Sequence, residues 1–164
     1  MSDSNTHNRN HYPLLICDDE LTLRNGLKKL IERSGLPLAI CGLASNGFEA
    51  FEIIREKQPS IVLMDINMPG MSGLDVIAET RKLEIPVKFI IISGHDEFQY
   101  AQRACRLEVL DYLLKPINKD ELLELLERII GKLGAVDMLA SAGAVASGAT
   151  VASGAVAASG AVVS

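Results

Sequence analysis

The chain has 164 residues, 48% of them hydrophobic and only 4% aromatic, so it can hold one domain with an appendage around an aliphatic core. A formal net charge of −5 argues against a basic nucleic-acid-binding face. Cys17, Cys41 and Cys105 lie far apart without Cys-x-x-Cys spacing, and the polar start Met1–Asn10 has no apolar signal core, which disfavours zinc, disulfide and secreted classes and points to the cytoplasm.

Leu14-Leu15-Ile16-Cys17 is a first apolar run, too short for a helix and closed by Asp18-Asp19-Glu20. Leu21, Leu23, Leu27, Leu30 and Ile31 then recur at near-helical spacing up to the stop signal Gly35. Pro37 to Ala44 reads as a second strand. Asn46 is placed to cap a helix carrying Phe48, Phe51, Ile53 and Ile54, with Pro59 beyond its end. Ile61-Val62-Leu63-Met64 is a third apolar run ending in Asp65, and the Pro69-Gly70 turn and Gly73 lead into a short helix through Val76 and Ile77. Val87 to Ile92 forms a fourth strand before Ser93-Gly94, followed by a helix from about Asp96 to Leu107 and a fifth run, Leu110 to Leu114. Asn118 and Glu121 stand in capping-box spacing at the head of a last helix, through Leu122, Leu125, Leu126, Ile129 and Ile130 to the Gly131–Gly134 region.

Five alternating strand–helix units imply crossover connections and therefore a parallel sheet. Strands that are apolar throughout fit a sheet covered on both faces. The expected fold is a doubly wound, five-stranded α/β sandwich over residues 13–133, after a disordered segment at 1–12. From Leu139 to Ser164 the chain is almost wholly Ala, Gly, Ser and Val without a charge, and serine recurs every six residues from Ser141 to Ser159. Residues 134–164 read as a flexible low-complexity tail, because such small side chains bury little area. They lack the large aliphatic residues of a membrane span, although an uncharged Val-bearing stretch is open to β-type self-association.

In open α/β sheets ligands sit beyond the carboxyl ends of the strands. The residues there are Asp18 and Asp19 after the first strand, Asp65 after the third, Ser93 after the fourth and Lys115-Pro116 after the fifth. Singly, each reads as a turn acid, a loop serine or an element boundary. Together they bring three carboxylates, a hydroxyl and an ammonium to one rim. Clustered carboxylates repel one another and form a hard oxygen site suited to Mg²⁺. A carboxylate nucleophile can then form an acyl phosphate, with the lysine and the serine on the phosphoryl oxygens.

The residues Cys17-Asp18-Asp19-Glu20, the run from Met64-Asp65 to Ser72-Gly73, Ile92-Ser93-Gly94 and Asp111-Tyr112-Leu113-Leu114-Lys115-Pro116 resemble the signature of receiver domains of bacterial two-component response regulators, with the flavodoxin-like fold those domains share. The likeness covers about Leu14 to Leu133. It implies that Asp65 is the phosphoacceptor, that Asp18 and Asp19 help to bind Mg²⁺ with Asp19 as a direct ligand, and that the Asn67 carbonyl completes the protein ligands. By the same resemblance Ser93 and Lys115 hold the phosphoryl group, Lys115 pairs with Asp65 at rest, the Lys115-Pro116 peptide is cis, and Tyr112 is a switch aromatic that follows Ser93. Asn67 and His95 flank the site and could tune phosphate lifetime. Receivers usually carry a small residue near Glu108, so the turn before the fifth strand departs from the pattern. The segment from Ser93 to Ala101 is similar to receivers that precede AraC-type helix-turn-helix output domains, and no such domain follows here.

The function implied is a switch. A sensor histidine kinase donates a phosphoryl group, the receiver catalyses transfer to its own Asp65 and its later loss, and the face of the fourth helix, fifth strand and fifth helix binds a partner or a second copy, controlling transcription through an output domain. Neither nucleic acid nor membrane is an expected direct partner. The competing reading is a phosphorylation-independent interaction module, which would normally have lost an acid or the lysine. An Asp-x-Asp phosphatase would place a second acid where Asn67 stands, and a self-standing DNA-binding protein is opposed by the acidic charge.

Overall fold

A computed structural model of the chain describes residues 11–94 and 98–145. The elements run β1 (Tyr12–Cys17), α1 (Leu21–Arg33), β2 (Leu38–Ala44), α2 (Gly47–Lys57), β3 (Ile61–Asp65), α3 (Gly73–Lys82), β4 (Lys88–Ser93), α4 (Phe98–Arg106), β5 (Asp111–Leu114) and α5 (Lys119–Val145). Two compact units, Met1–Glu124 and Leu125–Ser164, part inside α5.

The first unit is built on one five-stranded sheet in the order β2-β1-β3-β4-β5, with every neighbouring pair parallel. The chain steps outward from β1 to β2, then returns across β1 to β3, β4 and β5. With right-handed crossovers that reversal puts α1 on one face and α2, α3 and α4 on the other, which is the doubly wound fold. Side chains alternate along each strand accordingly. Leu15, Cys17, Val62, Met64, Phe89 and Ile91 join Ala50, Ile54, Val76, Ile77 and Ala104 in one buried cluster. Leu14, Ile16, Ile61, Leu63 and Ile90, on the opposite face, are also fully buried. β3 is buried at all five positions, as a central strand covered on both sides must be.

Local signals set the helix starts. The Asn46 side chain accepts the Glu49 N–H at 2.9 Å, Ser72 accepts the Asp75 N–H at 3.2 Å, and Asn118 accepts the N–H groups of Asp120 and Glu121 at 3.0 and 3.1 Å. Each satisfies donors that a helix's first turn leaves unpaired.

Several boundaries differ from the sequence reading. β1 begins at Tyr12, inside the segment expected to be disordered, because the Tyr12 N–H donates to Pro37 O at 2.9 Å and extends the ladder by one residue. α5 runs on to Val145 rather than ending at Gly131–Gly134. Alanine is the strongest helix former, and an isolated glycine inside a helix costs only about 1 kcal/mol, so the start of the expected tail is helical. Within the second unit Val136, Met138 and Leu139 are exposed. The rest of the expected tail, the first ten residues and the segment His95–Glu97 lie outside the described residues.

The turn before β5 needs no glycine. Glu108 itself takes a left-handed conformation, φ 56°, and Arg81 of α3 braces it. The Arg81 guanidinium donates to the carbonyls of Leu107, Val87 and Glu108 at 3.2, 3.0 and 3.2 Å and lies 5.2 Å from the centroid of the Phe89 ring.

Candidate functional site: an acidic pocket at the carboxyl edge of the sheet

β1, β3 and β4 end side by side, so Asp18, Asp65 and Ser93 are brought to one edge. All three are buried, and carboxylates are almost never fully buried unless they are paired. Carboxylate oxygens of Asp18, Asp19 and Asp65 lie within 4.8 Å of one another. Lys115 reaches over from the end of β5, where its backbone N–H donates to Ser93 O at 2.8 Å and its peptide bond to Pro116 is cis. The sequence-selected residues at four strand ends therefore converge, as the strand-end argument requires. Tyr112, on β5, is half-buried against the cluster beneath α2, α3 and α4. His95 lies outside the described residues.

The expected Lys115–Asp65 ion pair is present, and the lysine has a second partner that lies nearer. Lys115 Nζ lies 2.9 Å from Asp18 Oδ2 and 3.6 Å from Asp65 Oδ2, so Asp18 is its nearer partner. The reason lies in how Asp18 is held. Its Oδ1 accepts the Glu20 N–H at 2.8 Å, which turns Oδ2 into the pocket. There Oδ2 is buried and, apart from the lysine charge, receives no directed hydrogen bond from a described group.

Burial is the largest influence on Asp65, and with the neighbouring Asp18 charge it pushes the carboxyl up from 3.8 to about 6. Lys115 and the Asn67 N–H pull the other way, and Asp19 adds a further upward push. Burial draws the Lys115 ammonium down, but contact with Asp18 and the charges of Asp65 and Asp18 outweigh it and leave the group raised. Asp65 is thus ionised at neutral pH yet more basic than an ordinary aspartate, which favours nucleophilic attack. The donor set fits Mg²⁺ on three counts: it is all oxygen, it holds more negative charge than one lysine offsets, and Asp18 Oδ2 is aimed inward without a directed donor.

Two contributors escaped the sequence reading. Arg24 Nη1 donates to the Asp18 carbonyl at 2.7 Å, fixing the strand end that carries the acid. Its signal is a cation one helical turn after Glu20, common enough on any helix to carry no weight alone. Beside Lys115 a groove of about 680 Å³ runs along α1. Its wall includes Leu23, Leu27 and Leu30, with Lys29, Arg33 and Lys119 also lining it. Gly26 leaves open space in that wall, since a Cβ there would meet nothing within 4 Å. The groove needs the β5–α5 connection beside α1, a juxtaposition only the fold creates.

A buried carboxylate set among clustered acids, at the edge of a β2-β1-β3-β4-β5 sheet with a lysine paired to it and a serine at the next strand end, is the arrangement of phosphoacceptor switch domains as a class. The family comparison agrees: the response regulator receiver domain matches residues 14–127, and the chain belongs to that family. It is 42% identical over 127 residues to the uncharacterized transcriptional regulatory protein YesN of Bacillus subtilis (strain 168), covering 77% of this chain and 34% of that protein. It is 36% identical over 122 residues to the transcriptional regulatory protein HptR of Staphylococcus aureus (strain NCTC 8325 / PS 47), covering 74% of this chain and 48% of that one. The chain thus spans a third to about half the length of these curated relatives. Among solved structures it is similar to the receiver domain of AraT, a response regulator from Geobacillus stearothermophilus, with 34% identity, a TM-score of 0.71, and coverage of 77% of this chain and 98% of that one. It is also similar to a LuxR-family DNA-binding response regulator from Staphylococcus aureus, with 35% identity, a TM-score of 0.68, and coverage of 72% and 98%. Receivers bind Mg²⁺ at an acidic cluster of this kind and interact with histidine kinases. Among the described residues no helix is long and apolar enough to cross a membrane.

Proposed function

We propose that this receiver accepts a phosphoryl group on Asp65 from the phosphohistidine of a sensor histidine kinase and thereby switches a partner-binding or dimerisation face formed by α4, β5 and α5. The observation that carries this reading is the convergence of Asp18, Asp19 and Asp65 with Lys115 on one rim. A carboxylate oxygen of Asp65 attacks the phosphorus, the phosphorus–nitrogen bond breaks, and the donor histidine leaves with the electron pair. Asp18, Asp19, Asp65 and the Asn67 carbonyl would hold Mg²⁺, which would supply neutralisation of the charge that gathers there. Lys115 and Ser93 take the other phosphoryl oxygens, where transition-state charge is spread. The α1 groove next to Lys115 offers the donor protein a seat within reach of Asp65.

Ser93, drawn toward the phosphoryl group, vacates space into which Tyr112 turns, and the new contacts shift the population of the output face. Hydrolysis of the acyl phosphate resets the switch. The domain spans residues 12–133, works in the cytoplasm without direct contact with nucleic acid or membrane, and controls transcription through an output domain of the kind its longer relatives' names imply. Residues 134–164 are an appendage to it.

Intact-mass spectrometry after incubation with acetyl phosphate, with and without Mg²⁺, tests the reading on wild type and Asp65→Asn. One Mg²⁺-dependent phosphoryl adduct, absent from the variant, is expected. No adduct from acetyl phosphate or from any of a panel of phosphorylated kinases would favour the phosphorylation-independent interaction module.

A further inference from the structure

The loop between β3 and α3 carries Asn67, whose N–H donates to the Asp65 carboxylate. At its base the Gly73 N–H closes onto Ile66 O at 2.9 Å, and Ile66 and Met68 are buried as its feet. Its outer part, Pro69 to Met71, has no comparable burial. What lies against it is the first turn of α2. A Cβ on Gly47 would fall 1.9 Å from Met71 O, so the helix backbone and the loop backbone are in direct contact there. One residue on, the Phe48 ring lies over Gly70. A Cβ on Gly70 would sit 2.7 and 2.9 Å from two ring carbons, and the backbone there is at φ +77°, a conformation that suits glycine. Yet Phe48 is 64% exposed. An aromatic ring left mostly in water gains little from burial, so its placement calls for another account.

We infer that Phe48 is a positioning residue: its ring clamps Gly70 and so holds the β3–α3 loop with Asn67 aimed into the acidic pocket. This rests on the receiver reading, in which the Asn67 carbonyl is a Mg²⁺ ligand. A loop seated only at its base opens locally more readily than one also held at its tip. Supports of this kind, one step removed from the ligands, tune metal affinity without touching the ion.

Calorimetric titration of the full chain with Mg²⁺, without any phosphodonor, tests this on wild type, Phe48→Ala and Phe48→Leu. Phe48→Ala is expected to weaken Mg²⁺ binding by about tenfold, the lower end of what supporting residues contribute, while its urea midpoint stays close to wild type. Phe48→Leu, which keeps bulk over Gly70, is expected to recover most of the affinity. Amide hydrogen exchange at residues 66–71 is expected to quicken in Phe48→Ala alone. If wild type binds Mg²⁺ and both variants match it, the clamp is refuted and the receiver reading stands. Failure of wild type to bind Mg²⁺ would overturn both. A defect seen only with a phosphorylated kinase, at unchanged Mg²⁺ affinity, would make Phe48 a partner contact and overturn the clamp.

Discussion

Replacing Asp65 by asparagine should make the metal-free protein more stable at neutral pH, although it removes the nucleophile. The Asp65 side chain is only 4% exposed, and its carboxyl is pushed up from 3.8 to about 6. Below about pH 4 the group is protonated in both folded and unfolded chains. As the pH rises from there toward about 6, the unfolded chain releases the proton while the folded chain retains it, so stability falls across that window. Above about 6 the folded carboxylate is ionised too and the whole penalty is in place. At 1.36 kcal/mol per pH unit it is roughly 3 kcal/mol, a figure that already contains the Lys115 attraction, so the net gain for Asp65→Asn is roughly 1–3 kcal/mol. Urea unfolding in chelator from pH 4.5 to 8, read as the difference between variant and wild type, cancels the titrating groups that do not interact with Asp65. The difference should grow with pH and level off above about 6. With Mg²⁺ at ten times its dissociation constant, wild type should regain about 1.4 kcal/mol. A variant no more stable than wild type at pH 7.5, or a difference that shrinks as pH rises, would refute the account of Asp65 as a carboxylate held at a cost.

Removing the ammonium in Lys115→Met should strengthen Mg²⁺ binding several-fold, because a competing cation leaves Asp18 Oδ2. The same change should slow phosphorylation by acetyl phosphate by about 10- to 100-fold, since a donor to the transferring group is lost; unchanged metal affinity would contradict the competition. Filling the α1 groove with Gly26→Leu should lower transfer from a phosphorylated kinase while leaving acetyl phosphate labelling intact, and equal loss with both donors would show that the groove is no docking seat. Arg81→Met strips donors from three carbonyls and should cost roughly 1.5–3 kcal/mol, with faster amide exchange concentrated at Leu107–Leu110; a urea midpoint equal to wild type would refute the brace.

The sequence alone determined the alternation of apolar runs and helical stripes, because each strand of a sheet covered on both faces must be apolar throughout. It also placed Asp18, Asp65, Ser93 and Lys115 at strand ends, since a polar residue closing such a run marks where the chain leaves the core. Caps such as Asn46 and Asn118 were legible because a helix start is satisfied within a few residues of chain. The end of α5 was not: helix persistence through 134–145 depends on summed small propensities that a glycine-rich composition obscures. Tertiary structure decided what depends on residues distant in the chain. It set Lys115 nearer Asp18 than Asp65, because the Glu20 N–H fixes one oxygen of Asp18 and leaves the other facing the pocket. It let Glu108 adopt a left-handed turn without glycine, because Arg81, 27 residues earlier, holds its carbonyl. It brought Phe48 against Gly70 and opened the groove along α1. Chemistry carried by single residue types can be read along the chain, whereas partners, distances and burial exist only once crossover connections have brought separate strand ends together.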